Sequence, residues 1–184
     1  ATEEYSLLAP TTSYDHTKKC CDEIMNLYPE LDFYALRAGT VSGIAPNLRI
    51  DTAINSMTSN ALTDGSLQVF NGDVRRSFVD IQDLCRAIET IIDAPSRKSG
   101  IYNMASFHHT MNEIAEGVAD VINVPVNRVE NSDKTYDFAI DTTKFKDAFS
   151  FSFQGTLNSI IEDIANNLPT VINTSKRVEG KKYE

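Results

Sequence analysis

Short apolar runs alternate with helical stripes along almost all of this 184-residue chain, and that alternation limits the fold more than any other feature. Runs such as Phe33–Arg37, Leu67–Phe70 and Ile101–Met104 have the length of buried strands, whereas the segments between them repeat apolar residues at helical spacing. Neither internal repeats nor low-complexity linkers interrupt the order. The pattern therefore predicts an α/β fold.

Helix starts are predicted where a capping residue precedes an apolar stripe. Asp51 and Asp83 stand in such positions, and we expect each to be an N-cap. Thr110 is followed three residues later by Glu113, which is a capping box, so a helix is predicted to run to about Ile122.

The chain is predicted to contain one folded domain and a short tail. Its final helix starts near Leu157, and Pro169 is expected to end it, because proline cannot continue the backbone hydrogen-bond ladder. Residues 1–168 are then the domain and residues 169–184 a polar tail. The stretch from Gly39 to Pro46 is predicted to be a loop.

Composition excludes several classes of partner. The formal net charge is -9, so binding to nucleic acid or to anionic lipid is not expected. No apolar run approaches the ~20 residues of a membrane span. Cys20, Cys21 and Cys85 are odd in number and form no CxxC pair, so we expect a reducing, cytoplasmic compartment. His108 and His109 lack further ligands at suitable spacing, and no metal site is predicted.

Tyr14 and Lys18 are the first candidates for chemistry. They lie four residues apart at a helix start, which places both side chains on one helical face. An ammonium beside a phenol favours the phenolate, and such a tyrosine can exchange a proton with a sugar hydroxyl or carbonyl. Taken alone, a YxxxK match is weak, because solvated helical pairs of this kind are common.

Four later segments give the pair a context: residues 33–43 (FYALRAGTVSG), 49–55 (RIDTAIN), 71–83 (NGDVRRSFVDIQD) and 101–105 (IYNMA). In this order and spacing, the chain from Pro10 to Leu168 resembles the second half of an extended short-chain dehydrogenase/reductase. That family includes UDP-glucose 4-epimerase and the nucleotide-sugar 4,6-dehydratases. The resemblance implies the carboxyl-terminal part of a Rossmann-like fold, with a YxxxK helix, the strands after it and a small substrate-binding lobe.

The resemblance also implies roles for individual residues. Tyr14 and Lys18 match the catalytic pair, whose lysine also holds the nicotinamide ribose of NAD. Thr40 and Val41, followed by Gly43, match a loop that passes near the nicotinamide. Two further residues, Asn55 and Arg76, match positions that contact the substrate diphosphate, for which an arginine fork is well suited.

The motifs that the sequence lacks are as relevant to activity as those it contains. No GxGxxG occurs in the sequence, and the resemblance implies that the glycine-loop half of the cofactor site and the family's catalytic serine or threonine lie outside it. The strand Phe33–Arg37 would then lack a neighbour on one side. We expect that a missing amino-terminal half or a second copy covers it.

The predicted activity is NAD-dependent epimerisation or dehydration of a nucleotide-diphospho-sugar through a 4-keto intermediate. The chain alone is expected to be inactive or to bind NAD very weakly. Two alternatives stay open, a cofactor-free module that binds sugar nucleotides and a structural interaction protein. The sequence distinguishes neither the nucleotide nor the sugar, nor epimerase from dehydratase, nor the oligomeric state. Ser42, Asp80 and Ala105 depart from the family's usual residues, which leaves the substrate open.

Overall fold

The computed structural model describes residues 1–4, 10, 12–95, 98–130 and 137–179, with the backbone alone at position 26 and from 169 onward. Within these ranges the chain forms helices and strands in alternation. The helices are α1 (Ser13–Ile24), α2 (Ala53–Asp64), α3 (Ile81–Asp93), α4 (Met111–Ile122), α5 (Thr143–Phe149) and α6 (Leu157–Glu179). The strands are β1 (Tyr34–Ala38), β2 (Thr40–Ser42), β3 (Leu67–Phe70), β4 (Arg75–Asp80), β5 (Gly100–Met104), β6 (Phe107–Thr110) and β7 (Val126–Val129).

The strands pair across long stretches of sequence. β1 and β5 are parallel, from Tyr34 opposite Gly100 to Ala38 opposite Met104. β2 is parallel to β4, β4 is antiparallel to β6, and β3 is parallel to β7. Parallel pairs need crossover connections, and helices supply them here. The prediction of an α/β fold is confirmed.

Two hydrophobic cores hold these elements together. The larger one lies between α2, α4 and α6 and the strands β3 and β4, with Ile54, Phe78 and Ile161 fully buried. The smaller one is aromatic and lies under α3 and α5, where the ring of Tyr102 stands edge-on to that of Phe145 at 5.6 Å. Each fully buried side chain of this size stabilises the fold by about 1.5–3 kcal/mol.

The capping box at α4 is confirmed. The Thr110 hydroxyl accepts from the Glu113 N–H at 3.2 Å, and the Glu113 carboxylate accepts from the Thr110 N–H at 2.7 Å. The helix ends at Ile122, as predicted, because Asn123 takes the left-handed conformation with φ 62°.

The prediction of a loop from Gly39 to Pro46 is wrong at its start, where Thr40–Ser42 forms β2. This strand is stabilised by β4, a distant partner that local sequence does not reveal. Gly39 permits the close approach, since a Cβ at that position would lie 2.6 Å from the Ser77 carbonyl oxygen. The sequence does not reveal β6 either, because its partner β4 is also distant along the chain.

Two predicted N-caps are also wrong. α2 begins after Thr52, which makes no side-chain capping bond, and the Asp51 carboxylate instead pairs with Arg49 at 2.6 Å. α3 is capped by Asp80, whose carboxylate accepts from the N–H two residues on at 2.9 Å. Asp83 lies inside the first turn of α3 and is buried. Its carboxylate bonds to groups from other parts of the chain instead of capping the helix.

Pro169 does not end the last helix, which continues to Glu179. The predicted polar tail is therefore helical over most of its length, and its last residues, 180–184, lie outside the described residues. A proline inside a helix costs about 3 kcal/mol, and nothing among the described side chains accounts for the continuation.

Helix α1 is attached to the rest of the fold by few contacts. It buries none of its residues, and Ile24 and Leu27, at its end and in the turn after it, are 46% and 71% exposed. A pair between Asp22 and Arg37 at 2.8 Å ties the helix to β1. Among the described residues β1 has one hydrogen-bonded neighbour, β5, so its other edge is open as expected.

Candidate active site

Tyr14 and Lys18 lie on one exposed face of α1, as their spacing predicts. The helix starts there because Thr12 and Asp15 form a capping box, with both bonds at 3.1 Å. The Lys18 ammonium lies 5.3 Å from the centroid of the Tyr14 ring, and Tyr14 is 68% exposed. The phenol is thus presented outward with the Lys18 ammonium against its ring.

The loop after β2 carries an exposed ion pair. Arg49 and Asp51 form two bonds, Nε to Oδ1 at 3.0 Å and Nη2 to Oδ2 at 2.6 Å. The hydrogen bond to Asp51 raises the pKa of Arg49, and Tyr14 adds a smaller electrostatic contribution in the same direction. The loop after β2 therefore carries an exposed cation paired with its own neighbour.

Thr40 and Val41 belong to β2 and are half-buried against β4, opposite Phe78 and Val79. The strand leads into Gly43, whose φ of 119° favours glycine. The structure thus places the predicted cofactor loop at the end of a parallel strand. Contact of these residues with a cofactor stays a prediction.

Asn55 is buried, 3% exposed, and its amide holds the loop after β2. Its Oδ1 accepts from the Gly43 N–H at 3.1 Å, and its Nδ2 donates to the Arg49 carbonyl at 2.9 Å. The side chain therefore positions the loop that carries Arg49. Its predicted contact with a substrate diphosphate stays a prediction.

Asn55→Ala is expected to destabilise the chain by about 1–3 kcal/mol, because it leaves the Gly43 N–H and the Arg49 carbonyl without their partner. Urea unfolding followed by circular dichroism measures the change. Asn60→Ala is the matched control, since Asn60 is exposed on the same helix and should change stability by less than about 0.5 kcal/mol. Equal stabilities for both variants would show that Asn55 does not hold the loop.

Arg76 lies on β4, half-buried, with its guanidinium carbon 5.6 Å from the centroid of the Phe138 ring. Burial lowers the pKa of Arg76, and the Asp137 carboxylate raises it. A guanidinium remains charged at neutral pH in either case. The site therefore offers a partly desolvated cation, in which an ion pair with a ligand is less screened than in water.

A buried carboxylate supports the strands behind these residues. Asp83 accepts from the Ser106 hydroxyl at 2.6 Å and from the backbone N–H groups of Gln154 at 3.0 Å and Gly155 at 2.9 Å, and it pairs with Arg86. Burial opposes ionisation of this group, yet those hydrogen bonds lower the pKa of Asp83 on balance. Sequence reasoning gave Asp83 a capping role and missed these partners, which come from distant segments.

The pKa of the neighbouring Asp80 is shifted in the opposite direction. Burial raises the pKa of Asp80, and the charges of Asp83 and Asp163 raise it further. Two nearby carboxylates with pKa values moved apart can mark an acid and a base. Here, however, the Asp83 carboxylate is occupied by the donors named above, and the Asp80 carboxylate caps α3, so both have structural partners.

No three histidine, cysteine or acidic side chains among the described residues are grouped to hold a metal ion. No helix there is long and apolar enough to cross a membrane.

Comparison with known proteins identifies the family. Residues 1–105, more than half of the chain, match the model described as the NAD dependent epimerase/dehydratase family. The chain belongs to this family. The resemblance to extended short-chain dehydrogenase/reductases, first drawn from the YxxxK pair and the segments after it, is confirmed.

Several solved structures share the fold. A dTDP-glucose 4,6-dehydratase of Bacillus anthracis str. Ames in complex with NAD is 22% identical, with a TM-score of 0.76. The match covers 93% of this chain and 58% of the dehydratase chain. A UDP-glucuronic acid 4-epimerase of Bacillus cereus, bound to UDP-glucuronic acid and NAD, is 19% identical with a TM-score of 0.78, covering 93% and 57%. RMD of Pseudomonas aeruginosa with NADPH is 18% identical with a TM-score of 0.77, covering 92% and 60%.

The chain therefore spans less than two thirds of the length of these structures. At these identities the match establishes the fold. Activity and substrate have to be argued from the residues of this chain.

Proposed function

We propose that this chain supplies the proton-transfer pair and the substrate lobe of an NAD-dependent enzyme that epimerises or dehydrates a nucleotide-diphospho-sugar. The observation that carries the proposal is the exposed pair on α1, with the Lys18 ammonium 5.3 Å from the Tyr14 ring. Membership of the NAD dependent epimerase/dehydratase family supports it. So do solved relatives whose complexes contain NAD and UDP-glucuronic acid or UDP-glucose.

The residues present fit one end of the cofactor. The Tyr14 hydroxyl and the Lys18 ammonium are adjacent donors on an exposed face, which suits the ribose hydroxyls beside a nicotinamide. Thr40 and Val41 would lie along the same end. No glycine loop for the cofactor phosphates occurs in the sequence, so that part of NAD needs polypeptide other than these 184 residues.

Each residue then has a defined task. The phenolate form of Tyr14, with the Lys18 ammonium beside its ring, takes the proton of a sugar hydroxyl and becomes the phenol. Arg76 holds the diphosphate with its guanidinium fork, while Asn55 holds the loop that carries Arg49. NAD would supply reversible hydride transfer at the sugar carbon, with Tyr14 and Lys18 holding its nicotinamide ribose.

One feature favours the alternative of a cofactor-free binding module. The lobe that carries Arg76 has its own closed core, whereas α1 buries no residue at all. A chain that used the lobe alone would bind sugar nucleotides without NAD and without turnover. The two proposals therefore differ in whether the protein, given NAD, converts the sugar nucleotide that it binds.

The test starts with the intact mass of the protein expressed from its native gene, followed by assays with NAD and UDP- or dTDP-sugars. We expect the 184-residue chain alone to show no turnover. A longer product should form 4-keto or epimerised sugars, detected by NMR. Sugar-nucleotide binding without turnover in every form of the protein would reject the enzyme and support the binding module.

A further inference from the structure

Arg37 binds the chain on both sides of Tyr14 and Lys18. It lies on β1, and its Nε donates to the Asp22 carboxylate of α1 at 3.0 Å, with Nη2 2.8 Å from the same oxygen. Its Nη1 donates to the main-chain carbonyl of Glu3 at 3.1 Å. Glu3 precedes α1 in the chain, and Asp22 is close to the end of that helix. One guanidinium thus joins β1, α1 and the segment before α1.

Glu3 is itself held across two strands. Arg37 on β1 is directly opposite Asn103 on β5. The Glu3 carboxylate accepts from the Asn103 N–H at 2.8 Å, while the Glu3 carbonyl accepts from Arg37. Asn103 is buried, 3% exposed, and its side-chain amide donates to the Ala1 carbonyl at 3.3 Å. Residues 1–4 therefore lie across the carboxyl ends of β1 and β5, and Arg37 is one of the groups that hold them there.

The place of Asp22 on α1 determines what its bond to Arg37 controls. Tyr14, Lys18 and Asp22 follow at intervals of four residues, so they lie along one side of the helix, each turned by about 40° from the one before. Because α1 buries none of its residues, apolar packing does little to fix its rotation. The side chains of Arg37 and Asp22 are 27% and 23% exposed, so their attraction is less screened than that of a fully exposed pair.

We propose that Arg37 is a positioning residue, which fixes the placement of α1 on the sheet and thereby orients Tyr14 and Lys18 for proton transfer. The catalytic part of this inference rests on the proposed function. Proton transfer requires heavy atoms within about 2.6–3.2 Å, which a helix without a fixed rotation satisfies only part of the time. A displacement of about 1 Å that originates far from the reacting atoms can lower a rate by about 10²-fold.

The placement of α1 can be measured without any assay of activity. Cys20 on α1 and Cys85 on α3 are exposed and can carry nitroxide labels, once Cys21→Ser has removed the third thiol. Double electron–electron resonance then reports the distance between the two helices in the 184-residue chain. We expect one narrow distribution of distances. Arg37→Gln should broaden that distribution, because neither Asp22 nor the Glu3 carbonyl keeps its guanidinium partner.

Asp22→Asn and Glu23→Gln are a matched pair of variants on α1. Both change a carboxylate to an amide, but Asp22 pairs with Arg37, whereas Glu23 is exposed and pairs with Lys19 on the same helix at 3.8 Å. Asp22→Asn should broaden the distance distribution, and Glu23→Gln should leave it unchanged. Arg37→Lys keeps the charge without the guanidinium fork and should restore part of the order that Arg37→Gln loses. Circular dichroism checks that each variant is folded.

Kinetics test the link to proton transfer in the protein that turns over nucleotide sugars with NAD. Arg37→Gln should lower kcat by about 10–10²-fold and change KM by less than about threefold, because it disturbs the orientation of Tyr14 and not the binding of substrate. Asp22→Asn should give a similar loss. The double variant should lose little more than either single variant, since both act through one ion pair. A purely structural role would leave kcat of the folded variants unchanged.

The inference is overturned if folded Arg37→Gln keeps the narrow distance distribution, or if it keeps full kcat. If Arg37→Gln fails to fold, Asp22→Asn provides the same two measurements. A broadened distribution in a protein that never turns over would keep the placement of α1 by Arg37 and reject the proposed function. Full turnover in both variants would overturn the inference and keep the proposed function.

Discussion

Tyr14→Phe is expected to lower kcat by about 10²–10⁴-fold in the protein that turns over nucleotide sugars with NAD. The variant keeps the ring against the Lys18 ammonium but lacks the hydroxyl that exchanges the proton. Binding of the sugar nucleotide, measured by calorimetry, should change little. Single-turnover assays with NAD then report the loss in the chemical step.

Stability provides the control for this result. Tyr14 is 68% exposed, so its hydroxyl contributes little to the fold, and the urea midpoint should move by less than the equivalent of about 0.5 kcal/mol. Tyr28→Phe is the matched variant, because Tyr28 is also exposed, at 47%, just after α1, and it should keep full activity. Full activity of Tyr14→Phe would exclude the tyrosine as the group that moves the proton.

Asp83→Ala is expected to give the largest loss of stability, about 3–5 kcal/mol. The Asp83 side chain is buried, and its removal leaves the Ser106 hydroxyl and the N–H groups of Gln154 and Gly155 without their acceptor. Arg86 loses its ion pair and keeps its bond to the Ser152 carbonyl. Those groups belong to α3, the β5–β6 turn and the segment before α6, so three parts of the fold loosen together. Urea unfolding measures the difference.

Glu89→Gln is the control for that measurement, because Glu89 is exposed on the same helix and should change stability by less than about 0.5 kcal/mol. The sign of the pH dependence is a second check. The folded-state pKa of Asp83 is lowered from its ordinary value of 3.8, so its contribution is complete above that value and is lost as the pH falls through the folded-state pKa. Asp83→Asn should therefore show less acid destabilisation below about pH 4 than wild type. An acid profile unchanged in Asp83→Asn would contradict the assignment.

The exposed face of α1 and the open edge of β1 raise a related structural question. Ile24 and Leu27 are uncovered, and β1 has one neighbour among the described residues. An open, apolar edge promotes association with another chain. The proposed function accounts for both surfaces, since the polypeptide that carries the glycine loop would cover them.

Features that depend on neighbours within one turn were predictable from the sequence. The placement of Tyr14 and Lys18 on one face follows from the helical repeat, and the start of α4 follows from Thr110 and Glu113. The alternation of apolar runs and stripes was sufficient for the α/β class. These features are local, so a short stretch of sequence contains all the interacting groups.

Tertiary structure alone decided the features whose partners are distant. β2 needs β4, Asn55 holds the loop at Gly43 and Arg49, and Asp83 collects donors from three segments instead of capping its own helix. The register of β4 and β6 likewise brings His109 next to Arg76. By itself, then, the sequence determined the class of fold, the family resemblance and the placement of Tyr14 and Lys18 on one helical face. Which polar side chains support the loops and which face a ligand depended on long-range strand pairing and burial, because a carboxylate, amide or imidazole has no distinct role until packing chooses its partners.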